Sequence, residues 1–176
     1  SPIRQYAEGW DVDRLLSLTR SAVTFAVRNG LPVMFVTEDT TRAAPDTLRQ
    51  LYTAAIECGA TSLCVADTVG HATPEGAYNV VSFVKQIASE SGAAVKVDYH
   101  GHRDRGLDIP NTLAAIRAGA DRVHACALGI GERSGNTPME ILLTNLALLG
   151  IGNRDLTVLP EYCHVVSEAC RVPIPF

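Results

Sequence analysis

The sequence predicts an α/β fold in which the strands of a parallel sheet alternate with helices. Four short segments are rich in β-forming residues and too continuously apolar for half-exposed strands, which favours strands buried on both faces. They are Leu31–Val36, Ser62–Ala66, Ala94–Tyr99 and Arg122–Leu128. A glycine precedes each segment, at intervals of 29, 33 and 27 residues. This spacing is typical of one strand–helix unit of roughly 30 residues.

Helical patterns fill the intervals between the predicted strands. Apolar residues recur at three- and four-residue steps across Asp11–Asn29, which indicates an amphipathic helix. Pro45 and Pro74 occupy first-turn positions of the next two helices, the second with Thr73 as its N-cap. Three more helices are predicted at Pro110–Ala118, Pro138–Leu149 and about Leu156–Cys170.

The alternation fits either a (β/α) barrel or an open doubly wound sheet. A TIM barrel has eight strands and typically about 250 residues, whereas this chain has 176 residues and four recognisable strands. The sequence therefore predicts either about half of a barrel or a small four-stranded open sheet.

Composition excludes several functional classes. The net charge is −4 and the 15 Lys and Arg residues are scattered, so we expect no nucleic-acid partner. No apolar run is long enough for a membrane span. The five cysteines form no CxxC pair and are odd in number, which predicts a reducing, cytoplasmic setting with buried, inert thiols.

Polar or glycine-rich residues follow every predicted strand. Parallel α/β folds place their functional sites at this carboxyl edge. Aspartates there also cap the following helices, but capping does not explain the histidines. The four segments are Thr37–Thr40, Asp67–Gly70, His100–His102 and Gly129–Glu132.

His100 and His102 give the most specific signal. Residues two apart on a strand leave the same face, so both imidazoles converge on one point, as a divalent cation requires. Asp104 follows two residues later, and we expect its carboxylate to accept a ring N–H of the pair.

The glycine-rich loop Gly129–Asn136 gives a second, weaker signal. Gly129 and Gly131 allow the main chain to approach a ligand closely, and the following helix start at Pro138 favours an anion such as a carboxylate or phosphate. Taken alone, the loop also fits a small open α/β protein that binds a phosphorylated ligand.

Together these segments resemble the pyruvate carboxyltransferase-like enzymes, which include 2-isopropylmalate synthase, homocitrate synthase, citramalate synthase and hydroxymethylglutaryl-CoA (HMG-CoA) lyase. The resemblance implies a TIM barrel, of which residues 1–176 would be a partial domain, strands 5–8, without the N-terminal strands. The matching blocks are Ser1–Ile3, Thr37–Asp39, Ala66–Gly70, His100–Gly106 and Gly129–Asn136.

The resemblance also implies a set of site residues. One divalent metal (Mg²⁺, Mn²⁺ or Zn²⁺) would be held by His100, His102 and Asn136. Glu38 is similar to the family's carboxylate beside the reacting centre, and Thr68 to the group that binds the 2-oxo acid carboxylate. With Thr68, the main chain at Gly129 and Gly131 completes the expected substrate contacts.

The implied reaction is a Claisen-type condensation of acetyl-CoA with a 2-oxo acid to give a 2-alkylmalate, as in leucine biosynthesis. The lyases carry a reactive cysteine in the glycine loop, where this chain has Glu132 and Arg133; this favours a synthase similar to 2-isopropylmalate synthase. The alternatives are an HMG-CoA lyase-like enzyme and a non-catalytic half barrel that pairs with another chain. A homo-oligomer or pairing with the missing half barrel is expected.

Two departures from the family pattern qualify these expectations. Arg103 stands where the family usually has Asn or Asp. The family's Asp ligand and catalytic Arg have no counterpart here and are expected upstream of Ser1. The half-barrel hypothesis therefore predicts an incomplete metal site and an exposed, apolar inner face of the sheet.

Overall fold

The chain alternates helices and strands throughout residues 1–174, which are the part that the computed structural model describes. Two short 3₁₀ turns, Thr40–Arg42 and Ala127–Gly129, follow the first and last strands. The regular elements are, in chain order, α1 (Pro2–Glu8), α2 (Val12–Arg28), β1 (Met34–Thr37), α3 (Pro45–Glu57), β2 (Ser62–Asp67), α4 (Pro74–Glu90), β3 (Lys96–Gly101), α5 (Asp108–Arg117), β4 (Arg122–His124), α6 (Met139–Leu148) and α7 (Leu159–Cys170).

The four strands form one parallel sheet in the order β1-β2-β3-β4. Val36 is paired with Cys64, Cys64 with Asp98, and Asp98 with Arg122. A doubly wound sheet reverses its strand order at a switch point, whereas a barrel adds strands in sequence. The sequential order therefore confirms an α/β fold of parallel (β/α) units that corresponds to part of a TIM barrel.

All four strands lie where the sequence predicts them, but their first and last residues differ from the predicted ones. β1 begins at Met34 rather than Leu31, and β4 ends at His124 rather than Leu128. Beyond β4 the chain turns because Leu128 adopts φ +54°, a left-handed conformation that no strand residue has. Helix α1 is not predicted by the periodicity; it is short, and the Ser1 side chain caps its first turn.

Glycines end the helices that precede the strands, as predicted. Gly30, Gly59, Gly92 and Gly119 all have φ between +68° and +101°, the left-handed conformation that closes a helix at low cost only for glycine. The predicted N-cap is also confirmed, since Thr73 Oγ1 accepts from the backbone N–H of Gly76 at 3.1 Å.

One face of the sheet packs against α3, α4 and α5 and forms the hydrophobic core. Side chains alternate between the faces of a strand, and those that turn towards the helices are fully buried in β2 and β3. They are Leu63, Val65, Val97 and Tyr99.

The opposite face differs from the apolar surface expected from the sequence. Met34 and Val36 of β1 are exposed and apolar, as predicted. The prediction is wrong for β3 and β4, because the side chains on this face of β3 and β4 are polar. They are Lys96, Asp98, His100, Arg122 and His124. Within residues 1–174, no helix is both long and apolar enough to cross a membrane.

Candidate functional site

The sequence-predicted residues all lie towards the carboxyl edge of the sheet. All four strands are parallel, so the segments that follow them meet at one edge. His100 lies on β3, and the remaining residues lie in the loops just beyond the strand ends. These loop residues are Glu38, Thr68, His102, Gly129, Gly131 and Asn136.

The two histidines direct their ring nitrogens at each other. The Nε2 atoms of His100 and His102 are 3.2 Å apart, with ring planes at 86°. Burial, the neighbouring His102 and then His124 lower the pKa of His100 from 6.5 to about 4. His100 is therefore neutral at physiological pH, and neutral imidazole is the form that binds a metal ion.

Asn136 lies opposite His102 in an isolated antiparallel bridge. Residues paired in this way have Cβ atoms about 4.5–5.5 Å apart on the same side, so the side chains of Asn136 and His102 leave the backbone as neighbours. Asn136 Oδ1 and His102 Nδ1 are both buried, and neither has a hydrogen-bond partner among the described residues. An orphaned amide oxygen beside two converging imidazoles fits a divalent cation, which accepts oxygen and nitrogen donors together.

This donor set contains no carboxylate. No group of three or more His, Cys, Asp and Glu side chains within residues 1–174 is arranged to hold a metal ion. The part of the chain that the structure describes therefore offers two imidazoles and one amide oxygen.

The glycine-rich loop folds tightly around Asn136. Backbone N–H groups of Gly129 and Asn136 donate to the carbonyls of Cys126 and Gly129, at 3.1 and 2.9 Å. A Cβ at position 131 would collide with the Asn136 amide, lying 2.8 Å from its Cγ. A side chain at position 131 would have to displace the Asn136 amide. Gly129 and Gly131 remain predicted substrate contacts.

Arg133 joins three of the site loops. Its Nε and Nη2 atoms donate to Asp104 Oδ1 and Oδ2 at 2.7 and 3.0 Å, and Nη2 also donates to the carbonyl of Thr68. The hydrogen bond from Arg133 holds the pKa of Asp104 below its usual value. The expectation that Asp104 accepts from a histidine ring is wrong, because the hydrogen bonds of its carboxylate among the described residues come from Arg133.

Asp39 connects the loop of Glu38 to that of Thr68. Its backbone N–H donates to Thr68 Oγ1 at 2.7 Å, and its buried carboxylate accepts from Arg42 Nε at 2.7 Å and from the Ser1 hydroxyl. Burial acts to raise the pKa of Asp39, but the bonds from Arg42 and Ser1 outweigh it and lower the pKa.

Glu38 itself is accessible. Its side chain is 54% exposed and its carboxylate lies 3.2 Å from Arg4 Nε. Asp39 faces inwards and Glu38 outwards because Asp39 adopts a left-handed conformation, φ +57°. Glu38 is therefore exposed and paired with Arg4, while its neighbour holds the loop.

Sequence reasoning missed the contacts of Cys126 and Arg133. Cys126, interpreted as an inert thiol, accepts from Asn136 Nδ2 through Sγ at 3.3 Å. The available signal was position, because Cys126 lies within the fourth predicted strand and three residues before Gly129. Arg133 offered only its place within the glycine loop.

Comparison with known proteins gives a consistent family. A family model described as HMGL-like matches residues 1–166. The chain is 39% identical to a 2-isopropylmalate synthase of Sediminispirochaeta smaragdinae over 148 residues, 83% of this chain and 29% of that protein. It is 32% identical to the mitochondrial homocitrate synthase of Schizosaccharomyces pombe, over 99% of this chain and 41% of that protein. The chain thus spans about a third of the length of these curated relatives.

Solved structures share the fold. The hydroxymethylglutaryl-CoA lyase of Pseudomonas aeruginosa superposes with a TM-score of 0.80, covering 97% of this chain and 60% of that chain at 15% identity. The N-terminal domain of a putative aldolase from Bacteroides vulgatus gives 0.71 at 28% identity, over 91% of this chain and 50% of that chain. The four-stranded sheet therefore has the architecture of part of a TIM barrel.

Proposed function

Because the chain belongs to the HMGL-like family, we propose that it provides the metal-binding half of a 2-alkylmalate-type synthase. The reaction is a Claisen-type condensation of acetyl-CoA with a 2-oxo acid, similar to that of a 2-isopropylmalate synthase. The observation that supports it is the 3.2 Å convergence of the His100 and His102 Nε2 atoms beside the orphaned Oδ1 of Asn136.

The proposed metal ligands are His100, His102 and Asn136. Nitrogen and amide-oxygen donors without thiolate suit Mg²⁺, Mn²⁺ or Zn²⁺. Such a cation, when bound, supplies the Lewis acid that polarises the ketone of the 2-oxo acid. The imidazoles and the amide fix where that ketone lies.

Thr68 would bind the carboxylate of the 2-oxo acid. Its Oγ1 already accepts from the Asp39 backbone N–H, which directs the hydroxyl hydrogen away from that bond and leaves it available as a donor. Main-chain groups near Gly129 and Gly131 would complete the substrate contacts. The exposed carboxylate of Glu38, one residue before Asp39, would accept or return a proton beside the reacting carbonyl.

The loop chemistry favours a synthase over a lyase. Glu132 and Arg133 stand where the lyases have a reactive cysteine, and Arg133 is engaged by Asp104. The thiol of Cys126 lies against the amide nitrogen of Asn136, on the other side of the amide from its free oxygen. The names of the curated relatives support the same choice.

The proposed reaction also needs groups that residues 1–174 do not supply. A carboxylate ligand and a catalytic arginine would come from other strands of the assembled barrel, with residues 1–176 as its partial domain. We propose that these strands cover the polar face of the sheet, within one polypeptide or by pairing of chains. The acyltransferase would serve amino-acid biosynthesis in the cytoplasm.

Metal titration tests the proposal directly. We expect the chain to bind Mn²⁺ in calorimetry, and His100→Ala and His102→Ala each to weaken binding by more than the roughly 10–100-fold that loss of an outer-shell partner costs. The matched control is His164→Ala, because His164 is exposed on α7 and, within residues 1–174, pairs only with Glu168.

Equal Mn²⁺ affinities of the His102→Ala and His164→Ala variants would contradict the assignment, as would a wild-type chain that binds no Mn²⁺. Release of free CoA thiol from acetyl-CoA then tests the reaction in the assembled barrel, which includes the strands that supply the carboxylate ligand and the catalytic arginine, with 2-oxo acids that carry small, branched apolar or carboxylate side chains. Thr68→Val should raise the KM for the 2-oxo acid more than the KM for acetyl-CoA.

A further inference from the structure

The orientation of the Asn136 amide is fixed by two acceptors on its nitrogen. Nδ2 donates to the Ile130 carbonyl at 3.2 Å and to Cys126 Sγ at 3.3 Å. An amide nitrogen has two N–H groups, so both are used. A flipped amide would bring its oxygen against the Ile130 carbonyl, where no donor exists. The free Oδ1 is therefore held away from the loop.

The position of Cys126 is set by the chain segment that follows Asn136. Its backbone N–H donates to the Thr137 carbonyl, and its carbonyl accepts from the Met139 N–H, both at 2.9 Å. Cys126 also bridges Pro138 in parallel register. These bonds hold the backbone of Cys126 against residues 137–139, directly after Asn136, and so keep its side chain within reach of the amide.

We propose that Cys126 is a positioning residue for the metal site. Its thiol holds one N–H of Asn136 so that the amide oxygen is preorganised beside His100 and His102. This inference rests on the proposed metal site and assigns no nucleophilic role to the thiol. A sulfur acceptor is weak, but it satisfies a donor that would otherwise be buried without a partner.

Preorganisation explains why the thiol would affect metal affinity. Without an acceptor at position 126, the amide rotates more freely in the metal-free protein and must be ordered when the cation binds. The cost of that ordering is subtracted from the binding free energy. A second hydrogen-bonding group behind a ligand typically changes metal affinity by about 10–100-fold.

Paired variants separate hydrogen bonding from packing. Cys126→Ser keeps an acceptor of similar size, whereas Cys126→Ala removes it. We expect the Ala variant to bind Mn²⁺ about 10–100-fold more weakly than wild type, with the Ser variant restoring most of the affinity. Cys126→Thr and Cys126→Val repeat the comparison with a nearly isosteric pair, should the Ala variant fail to fold. Cys170→Ala, at an exposed cysteine of α7, is the control.

A metal-free measurement keeps the two proposals distinguishable. In ¹⁵N-labelled protein with chelator, the side-chain NH₂ resonances of Asn136, assigned by their loss in Asn136→Asp, report the two hydrogen bonds. We expect these resonances to shift in Cys126→Ala and to return towards wild-type positions in Cys126→Ser. Absence of Mn²⁺ binding in wild type would refute the proposed function, while the amide resonances would still test the thiol.

The inference is overturned if Cys126→Ala leaves the Asn136 amide resonances in place. It is also overturned if the Ala and Ser variants, or the Val and Thr variants, bind Mn²⁺ equally well. Equal loss in both members of a pair would indicate that the sulfur acts by size alone.

Discussion

The two faces of the sheet use the same strands for different purposes. On the helix-covered face, Leu63 and Val97 lie on neighbouring strands and are completely buried in the core. On the other face, one residue further along each strand, Cys64 lies beside Asp98. Asp98 is 0% exposed, and its Oδ2 lies 2.8 Å from Arg122 Nη2 and 3.3 Å from His124 Nε2.

This difference separates the residues that specify the fold from the polar residues beside the proposed metal site. Apolar burial on the helix side is non-directional and tolerates many sequences. On the polar face every buried group needs a particular partner, as Asp98 illustrates with Ser62, Arg122 and His124. The imidazole pair continues the same face towards the carboxyl edge.

A matched truncation on the two faces should give the largest contrast. Leu63→Ala removes a fully buried side chain and should lower the free energy of unfolding by about 2–5 kcal/mol, because it leaves a cavity under α3 and α4. Met34→Ala, at a neighbouring strand position that is 42% exposed, should change it by no more than about 0.5 kcal/mol. Urea unfolding followed by circular dichroism measures both, and similar losses at the two positions would contradict the division of the faces.

An intermediate effect is expected from the buried carboxylate of the polar face. Asp98→Ala leaves the Ser62 hydroxyl without its acceptor and Arg122 without its ion pair, at a cost of about 1–3 kcal/mol. The loss should be smaller than for Leu63→Ala because the Arg122 side chain is more than half exposed and gains water. Asp98→Asn preserves the shape and should lose less; a loss in Asp98→Ala as large as that in Leu63→Ala would show that the polar face also determines folding.

The helix-packed face is the part that the sequence predicts well. Buried strands and glycine-closed helices follow from local patterns, as Gly59 and Gly119 show, and such patterns do not depend on distant contacts. The pairing of His100 with His102 is equally local, since two residues apart on a strand always share a face.

The loop contacts of the site lie beyond such reasoning. Arg133 reaches Asp104, and Cys126 reaches Asn136, across a loop in which Leu128 and Arg133 adopt left-handed conformations. Non-glycine residues rarely take this conformation, so propensity does not predict it. The chemistry of the polar face was mispredicted for a related reason. The predicted strands were interpreted as continuously apolar although they contain Lys96, Asp98 and Arg122, and the register pairs Asp98 with Arg122.

The smallest change in the free energy of unfolding is expected from the protonation of His100. This side chain is only partly buried and is therefore partly screened by water. Burial, with the nearby His102 and His124, lowers its pKa from 6.5 to about 4, while Glu132 acts weakly in the opposite direction. The unfolded chain therefore binds a proton at this side chain over a pH range in which the folded chain does not. The stability associated with neutral His100 is complete above pH 6.5 and is lost as the pH falls to about 4.

The variant His100→Gln isolates this contribution, because it cannot take up the proton. In metal-free protein with chelator, the unfolding free energy of wild type should fall more steeply than that of His100→Gln between pH 6.5 and pH 4, with carboxylate titration common to both. His164→Gln, at an exposed position, should follow the wild-type slope. Parallel slopes for wild type and His100→Gln would mean that the polar face solvates His100 as well as water does. Burial on this face would then not disfavour the protonated form of His100, and the face would behave like an ordinary protein surface.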